Sequence, residues 1–134
     1  MEKESVKAMA PLVLAYLGDA VYELIIRDRL VRLDTSRPKV LNRRAAGLVC
    51  AGAQSAMMTV IEPLLTEDEA AVYRRGRNAN SPTKAKNQSI QDYRRATGFE
   101  ALVGYLHLCE DNERLHFLID EGLKGLEAAR TIED

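Results

Sequence analysis

The segment Leu14-Ala15-Tyr16-Leu17-Gly18-Asp19-Ala20-Val21-Tyr22-Glu23 constrains this chain more than any other. It sets a carboxylate, Asp19, in the middle of an otherwise apolar helical run, directly after a glycine. An ionised carboxylate there is costly unless it is paired, holds a metal or faces a solvent cleft. A second run, Thr97-Gly98-Phe99-Glu100-Ala101-Leu102-Val103-Gly104-Tyr105-Leu106, repeats the arrangement with Glu100. Two isolated carboxylates, each on an apolar helix with small neighbours, are what a divalent-metal phosphodiesterase needs.

The rest of the pattern is helical as well. Leu12, Tyr16, Leu17, Ala20, Val21, Leu24 and Ile25 recur at three- and four-residue spacing, which predicts a helix from about Pro11 that closes in the charged run at Asp34. Pro38 opens a second, long helix expected to run to about Ile61. Thr66-Glu67-Asp68-Glu69 reads as a capping box for a helix ending near Arg75 or Arg77. Residues 76–88 hold Gly, Pro, Asn and Lys but no apolar stripe, and are expected to form one long loop, functional or disordered. Ser89, with Asp92 three residues on, caps a helix to about Leu108, and a last amphipathic helix spans roughly Asn112 to Ala129. With 134 residues and no strand-like alternation, repeat or linker, the expectation is a single all-α domain over residues 1–134.

A net charge of −1 conceals strong segregation. Residues 74–95 hold seven Lys/Arg against one acid, a net +6, and residues 27–44 hold seven against two, a net +5. Residues 100–134 carry nine acids against three bases, a net −6. Two basic segments suit a polyanion-binding face, although by composition alone ordinary solvated helix faces are the better reading. Other classes fall away. No unbroken apolar segment is long enough to span a bilayer, and the Met1-Glu2-Lys3-Glu4-Ser5 start lacks the layout of a signal peptide. Cys50 and Cys109 show no metal or redox spacing and read as free thiols of a cytoplasmic protein. Few aromatic residues (5%) argue against a platform for stacking single-stranded bases.

On a helical wheel Leu12, Ala15, Tyr16, Glu23 and Ile26 share the side of Asp19, while Ala96, Thr97, Val103, Gly104 and His107 gather round Glu100. Small neighbours leave room for a hydrated cation and a phosphate. Magnesium prefers oxygen ligands, keeps several waters and is typically held by one or two protein carboxylates. From periodicity alone, however, an ion pair with an Arg is the better reading of each acid, and spacing does not bring Asp19 and Glu100 together. His107 reads as a half-buried helix histidine, Tyr16 and Tyr22 as core or interface residues, and Met57-Met58 as core filler.

Leu17-Gly18-Asp19-Ala20-Val21 and Phe99-Glu100-Ala101-Leu102-Val103-Gly104 resemble the two active-site helices of the ribonuclease III family. The chain departs from the family signature at two places: Ala15 stands where a Glu is usual, and Thr97 where an Asp is usual. Together with Arg74-Arg75-Gly76-Arg77-Asn78-Ala79-Asn80, Lys86-Asn87 and Tyr93-Arg94, the pattern is similar to the short Mini-III subgroup, which lacks a double-stranded RNA-binding domain. The likeness covers nearly the whole chain.

The resemblance implies a helical homodimer that hydrolyses phosphodiesters of double-stranded RNA with Mg2+ (Mn2+ substituting), leaving 5′-phosphate ends. It further implies maturation of 23S ribosomal RNA precursor, with a ribosomal protein as a possible presenter of the RNA. It assigns Asp19 and Glu100 as catalytic, metal-handling residues, supplemented by water, Thr97 or Glu23. Arg74, Arg75, Arg77, Lys84 and Lys86 become candidate phosphate contacts, Asn78 and Asn80 candidate ribose contacts, and Arg43 and Arg44 weaker ones, since duplex RNA is read by shape, phosphates and 2′-hydroxyls. The alternative is a catalytically silent domain that binds structured RNA, motivated by Ala15 and Thr97.

Overall fold

In the computed structural model, residues 1–33, 37–79 and 89–133 are described, the side chains of the last two excepted. Seven α-helices and one 3-10 turn are formed by these residues, with no strand among them: α1 (Lys3–Lys7), α2 (Pro11–Leu33), α3 (Pro38–Val49), α4 (Ala51–Ile61), the 3-10 turn Glu62–Leu64, α5 (Glu67–Asn78), α6 (Ile90–Leu108) and α7 (Asn112–Glu133). The fold is all-α, as the periodicity predicts.

Helix α6 is the hub. It packs against α2, α5 and α4, and Ala96 to Phe99 and Ala101 to Leu106 are all buried. A helix apolar all round belongs inside a protein. Its centre meets Leu14, Tyr22, Ile26, Met57, Met58, Ile61, Val72 and Tyr73 in one continuous core. Tyr22 and Phe99 meet edge to face, with ring centroids 4.9 Å apart. Both methionines of the Met57-Met58 pair are fully buried, as filler should be.

The caps follow the sequence. The Thr66 hydroxyl accepts from the Glu69 backbone N–H at 3.2 Å, while the Glu69 carboxylate accepts from the Thr66 N–H at 2.9 Å. Ser89 accepts from the Asp92 N–H at 3.0 Å. Glu69 reaches further: Arg114 of α7 donates to both its carboxylate oxygens, at 2.9 and 2.8 Å. That fork ties α5 to α7 in geometry suited to guanidinium and carboxylate.

One expectation is overturned. The long helix from Pro38 to Ile61 is two helices, broken where Cys50 turns extended (φ −68°, ψ 158°) and bent by 51°. The break leaves carbonyls of the last turn of α3 without helical partners. Side chains from three other helices take them: Arg130 donates to Gly47 at 2.7 Å, Tyr22 to Leu48 at 2.8 Å and Gln54 to Val49 at 3.0 Å. The bend lets α3 lie on α2 while α4 turns onto α6 and α7.

Helix α2 is apolar on two sides. Leu14, Ala15, Gly18, Tyr22, Ile26 and Leu30 are buried, yet Val13, Tyr16, Leu24 and Val31 stand exposed. Tyr16 is 84% exposed, so it is no core residue of this chain.

Candidate active site

The site is set by how closely α2 and α6 cross. A Cβ on Gly18 would sit 1.7 Å from the Glu100 carbonyl oxygen, and one on Gly104 would sit 2.1 Å from that of Leu14. Only glycine at both positions lets the two backbones touch. Asp19 follows Gly18 directly, and Glu100 lies one turn before Gly104, so the crossing brings the two carboxylates together.

They interact side chain to side chain. Burial first, then the nearby Asp19 carboxylate, push the Glu100 carboxyl up to about 8, while the nearby Gln54 amide opposes the rise. Asp19 is exposed and Glu100 half-buried. One carboxylate thus faces solvent while the other backs onto the core.

Gln54 is a residue that sequence reasoning missed. It reaches the site from α4 and is only 2% exposed. The signal for it was a lone amide in the run Ala51-Gly52-Ala53-Gln54-Ser55-Ala56-Met57-Met58. Its neighbour Ser55 accepts from Arg95 at 3.0 Å, and Arg95 also reaches Thr59 at 3.1 Å, so α4 is fastened to α6 beside the carboxylates.

The other predicted helpers point elsewhere. Ala15 is buried and offers no ligand. The Thr97 hydroxyl donates to the Tyr93 carbonyl of its own helix at 3.0 Å. Glu23 pairs with Arg27 at 3.2 Å. His107 is exposed rather than half-buried, because it falls in the last turn of α6, where that helix leaves the core. Among the described residues no three His, Cys, Asp or Glu side chains converge as a metal cluster.

The basic residues divide. Arg74 is exposed on α5. Arg75 donates to the carbonyls of Lys7 and Met9, at 2.6 and 3.2 Å, and so ties down the N-terminal segment. Arg77 lies over the Tyr73 ring, 5.6 Å from its centroid, and donates to Asn78 at 3.3 Å. Arg77, Asn78, Arg94 and Arg95 share a cavity of about 560 Å³ with Tyr73 and Gln91. Arg43 and Arg44 are exposed on α3. Lys84, Lys86, Asn80 and most of the expected loop lie outside the described residues.

Comparison with known proteins settles the family. The Ribonuclease III domain family matches residues 12–111, which hold both carboxylates and the glycine crossing. The chain belongs to the ribonuclease III family. Its likeness extends to proteins named Mini-ribonuclease 3. That of Enterococcus faecalis is 50% identical over 120 residues, covering 88% of this chain and 91% of its own. That of Clostridium tetani is 50% identical over 115 residues, covering 84% and 76%. A crystal structure of a Fusobacterium nucleatum protein superposes with a TM-score of 0.78 at 30% identity, covering 83% of this chain and 90% of that one. This ribonuclease III family member is an endoribonuclease.

Proposed function

We propose that the chain is a homodimeric, Mg2+-dependent endoribonuclease that cleaves double-stranded RNA and matures the ends of 23S ribosomal RNA precursor. The observation that carries this reading is the meeting of Asp19 and Glu100 at the Gly18–Gly104 crossing, inside the segment that matches the family.

The residues present fit a divalent cation. Asp19 and Glu100 lie close enough for the Asp19 charge to oppose ionisation of Glu100, a repulsion that a divalent cation would relieve. Magnesium needs only one or two protein carboxylates, with water completing its shell. When bound, it supplies activation of water and stabilisation of charge developing on the phosphate. Asp19 presents its carboxylate to the solvent side, where substrate enters. Glu100, raised to about 8, holds a proton at neutral pH and would release it on taking part in holding a divalent cation. The glycine crossing sets how closely the backbones that carry the two acids approach.

Arg74, Arg77, Asn78 and Arg94 supply a positive margin for phosphates and ribose hydroxyls; Arg75, Lys84 and Lys86 belong to the same proposal as basic neighbours in sequence. The exposed stripe Val13, Tyr16, Leu24 and Val31 on α2 supports the dimer, because a large apolar helix face marks a protein interface. The 23S precursor and a ribosomal protein that presents it rest on the likeness to the Mini-III subgroup.

Cleavage of a labelled RNA duplex, with Mg2+ and with chelator, tests the reading in wild type and Asp19→Asn. Expected is Mg2+-dependent cutting that falls roughly 10³-fold in the variant, equivalent to several kcal/mol, while duplex binding persists. Equal cutting by both proteins would remove Asp19 from the site. Binding without cutting by the wild type would favour the silent RNA-binding domain, which the absence of a third converging ligand among the described residues also suits.

A further inference from the structure

Where α5 and the start of α6 meet the 3-10 turn, they enclose the cavity of about 560 Å³ noted above, a volume within the range of small-ligand sites. Its wall holds three guanidiniums, Arg77, Arg94 and Arg95, against one carboxylate, Glu62, a net charge of +2. None of the three has a carboxylate partner among the described residues. Arg77 lies over the Tyr73 ring and donates to the neutral side chain of Asn78. Arg95 donates to two neutral hydroxyls, those of Ser55 and Thr59. Other arginines pair with acids: Arg27 with Glu23, Arg29 with Asp120, Arg32 with Asp28 and Arg114 with Glu69.

The same wall carries an unpaired hydroxyl. Tyr73 is 1% exposed, and its hydroxyl is buried without a hydrogen-bond partner. A buried donor left unpaired is destabilising, and Phe would fill nearly the same volume without it. A buried hydroxyl and three guanidiniums free of acids, on one wall, form a donor set for an anion.

Charge selects the anion. A phosphodiester carries a single negative charge, whereas a terminal phosphate carries about −1.5 to −2 at pH 7. The net +2 of the wall matches the second. Guanidiniums also suit phosphate by shape, since each offers parallel N–H groups to two oxygens. A duplex presents its phosphodiesters in a row to a surface, while a walled cavity takes an end.

We propose that this cavity is a site for a terminal phosphomonoester, the 5′-phosphate of an RNA end or of a free nucleotide, held by Arg77, Arg94 and Arg95 with the Tyr73 hydroxyl as a further donor. The proposal deepens the reading of these basic residues as RNA contacts and rests on that reading for the RNA source alone. A nuclease that leaves 5′-phosphate ends makes the very group that the cavity fits. Arg94 and Arg95 precede Glu100 on α6 by six and five residues, about 7.5–9 Å of helix rise, so the site shares a helix with the proposed cutting centre.

The test measures binding of a 3′-labelled, single-stranded RNA pentanucleotide to the full chain by fluorescence anisotropy, in chelator, so that neither metal nor cleavage enters. Wild type should bind the 5′-phosphorylated RNA at least about 10-fold more tightly than the same RNA with a 5′-hydroxyl. Arg94→Gln, at an exposed position, should erase most of that preference. Glu62→Gln should widen it several-fold, an effect that a folding defect would not produce. Tyr73→Phe should reduce it while melting no lower than wild type. Competition separates the two sources: displacement by a nucleoside 5′-monophosphate as readily as by the phosphorylated RNA identifies a free nucleotide, and displacement by the phosphorylated RNA alone identifies an RNA end. Equal affinity of wild type for the two RNAs would overturn the proposal, and so would a preference that Arg94→Gln and Glu62→Gln leave unaltered. Either failure would leave the nuclease reading standing, because duplex cleavage with Mg2+ tests that separately.

Discussion

Glu100 carries opposite demands in its two states. Burial and the neighbouring Asp19 charge raise its carboxyl from 4.5 in the reference state to about 8. Between those values the folded, metal-free chain holds a proton that the unfolded chain has released. Stability from this group is therefore present at low pH and lost as pH rises through that window. In chelator, wild type should lose melting temperature relative to Glu100→Gln as pH climbs from about 5 to about 8.5. A difference that stays constant with pH would show that Glu100 keeps its proton in neither state. Adding Mg2+ at neutral pH should release a proton from wild type and none from Glu100→Gln, measurable in calorimetry with buffers of different ionisation heat. Asp19 and Glu100 were legible in the sequence because an acid after or near a glycine in an apolar run has few structural uses. Gln54 was not legible, because a neutral amide on a helix carries no such cost until its burial is known.

At the level of helices, two glycines decide whether the site exists. Gly104→Ala would drive a methyl to within 2.1 Å of the Leu14 carbonyl oxygen, a backbone atom that cannot step aside. The helices must part, and the expected loss is about 3 kcal/mol or more, at the upper end of overpacking. Cleavage should fall with it even where the variant stays folded at low temperature, because Asp19 and Glu100 separate together with their backbones. Gly52→Ala is the control: nothing lies within 4 Å of the added methyl, so stability should hold or rise slightly. Melting curves for the two variants check both statements. The helix starts at Thr66 and Ser89 were readable from local chemistry, since a cap and its N–H lie within four residues of each other. The break at Cys50 was not, since the groups that satisfy Gly47 and Leu48 come from Arg130 and Tyr22, far away in sequence. The α1 helix was missed for a similar reason: Lys3 and Lys7 hold it through Asp68 of α5, at 2.6 and 2.8 Å.

For the molecule as a whole, the outer face of α2 is the surface on which the proposed dimer rests. Tyr16 and Leu24 are 84% and 68% exposed, on the helix that also carries Asp19. Introducing a charge there, as Tyr16→Glu or Leu24→Glu, should leave the monomer fold intact but shift sedimentation from dimer to monomer. Monomeric wild type by the same measurement would remove the dimer from the proposal. The distance along the chain between Asp19 and Glu100, 81 residues, has a further consequence for synthesis. At about 5–20 residues per second, roughly 4–16 s separate the appearance of the first acid from that of the second. No stretch ending before Glu100 contains both acids, so a chain terminated earlier lacks half of the proposed site. On the proposed assignment the cutting centre is therefore incomplete on any nascent chain shorter than 100 residues.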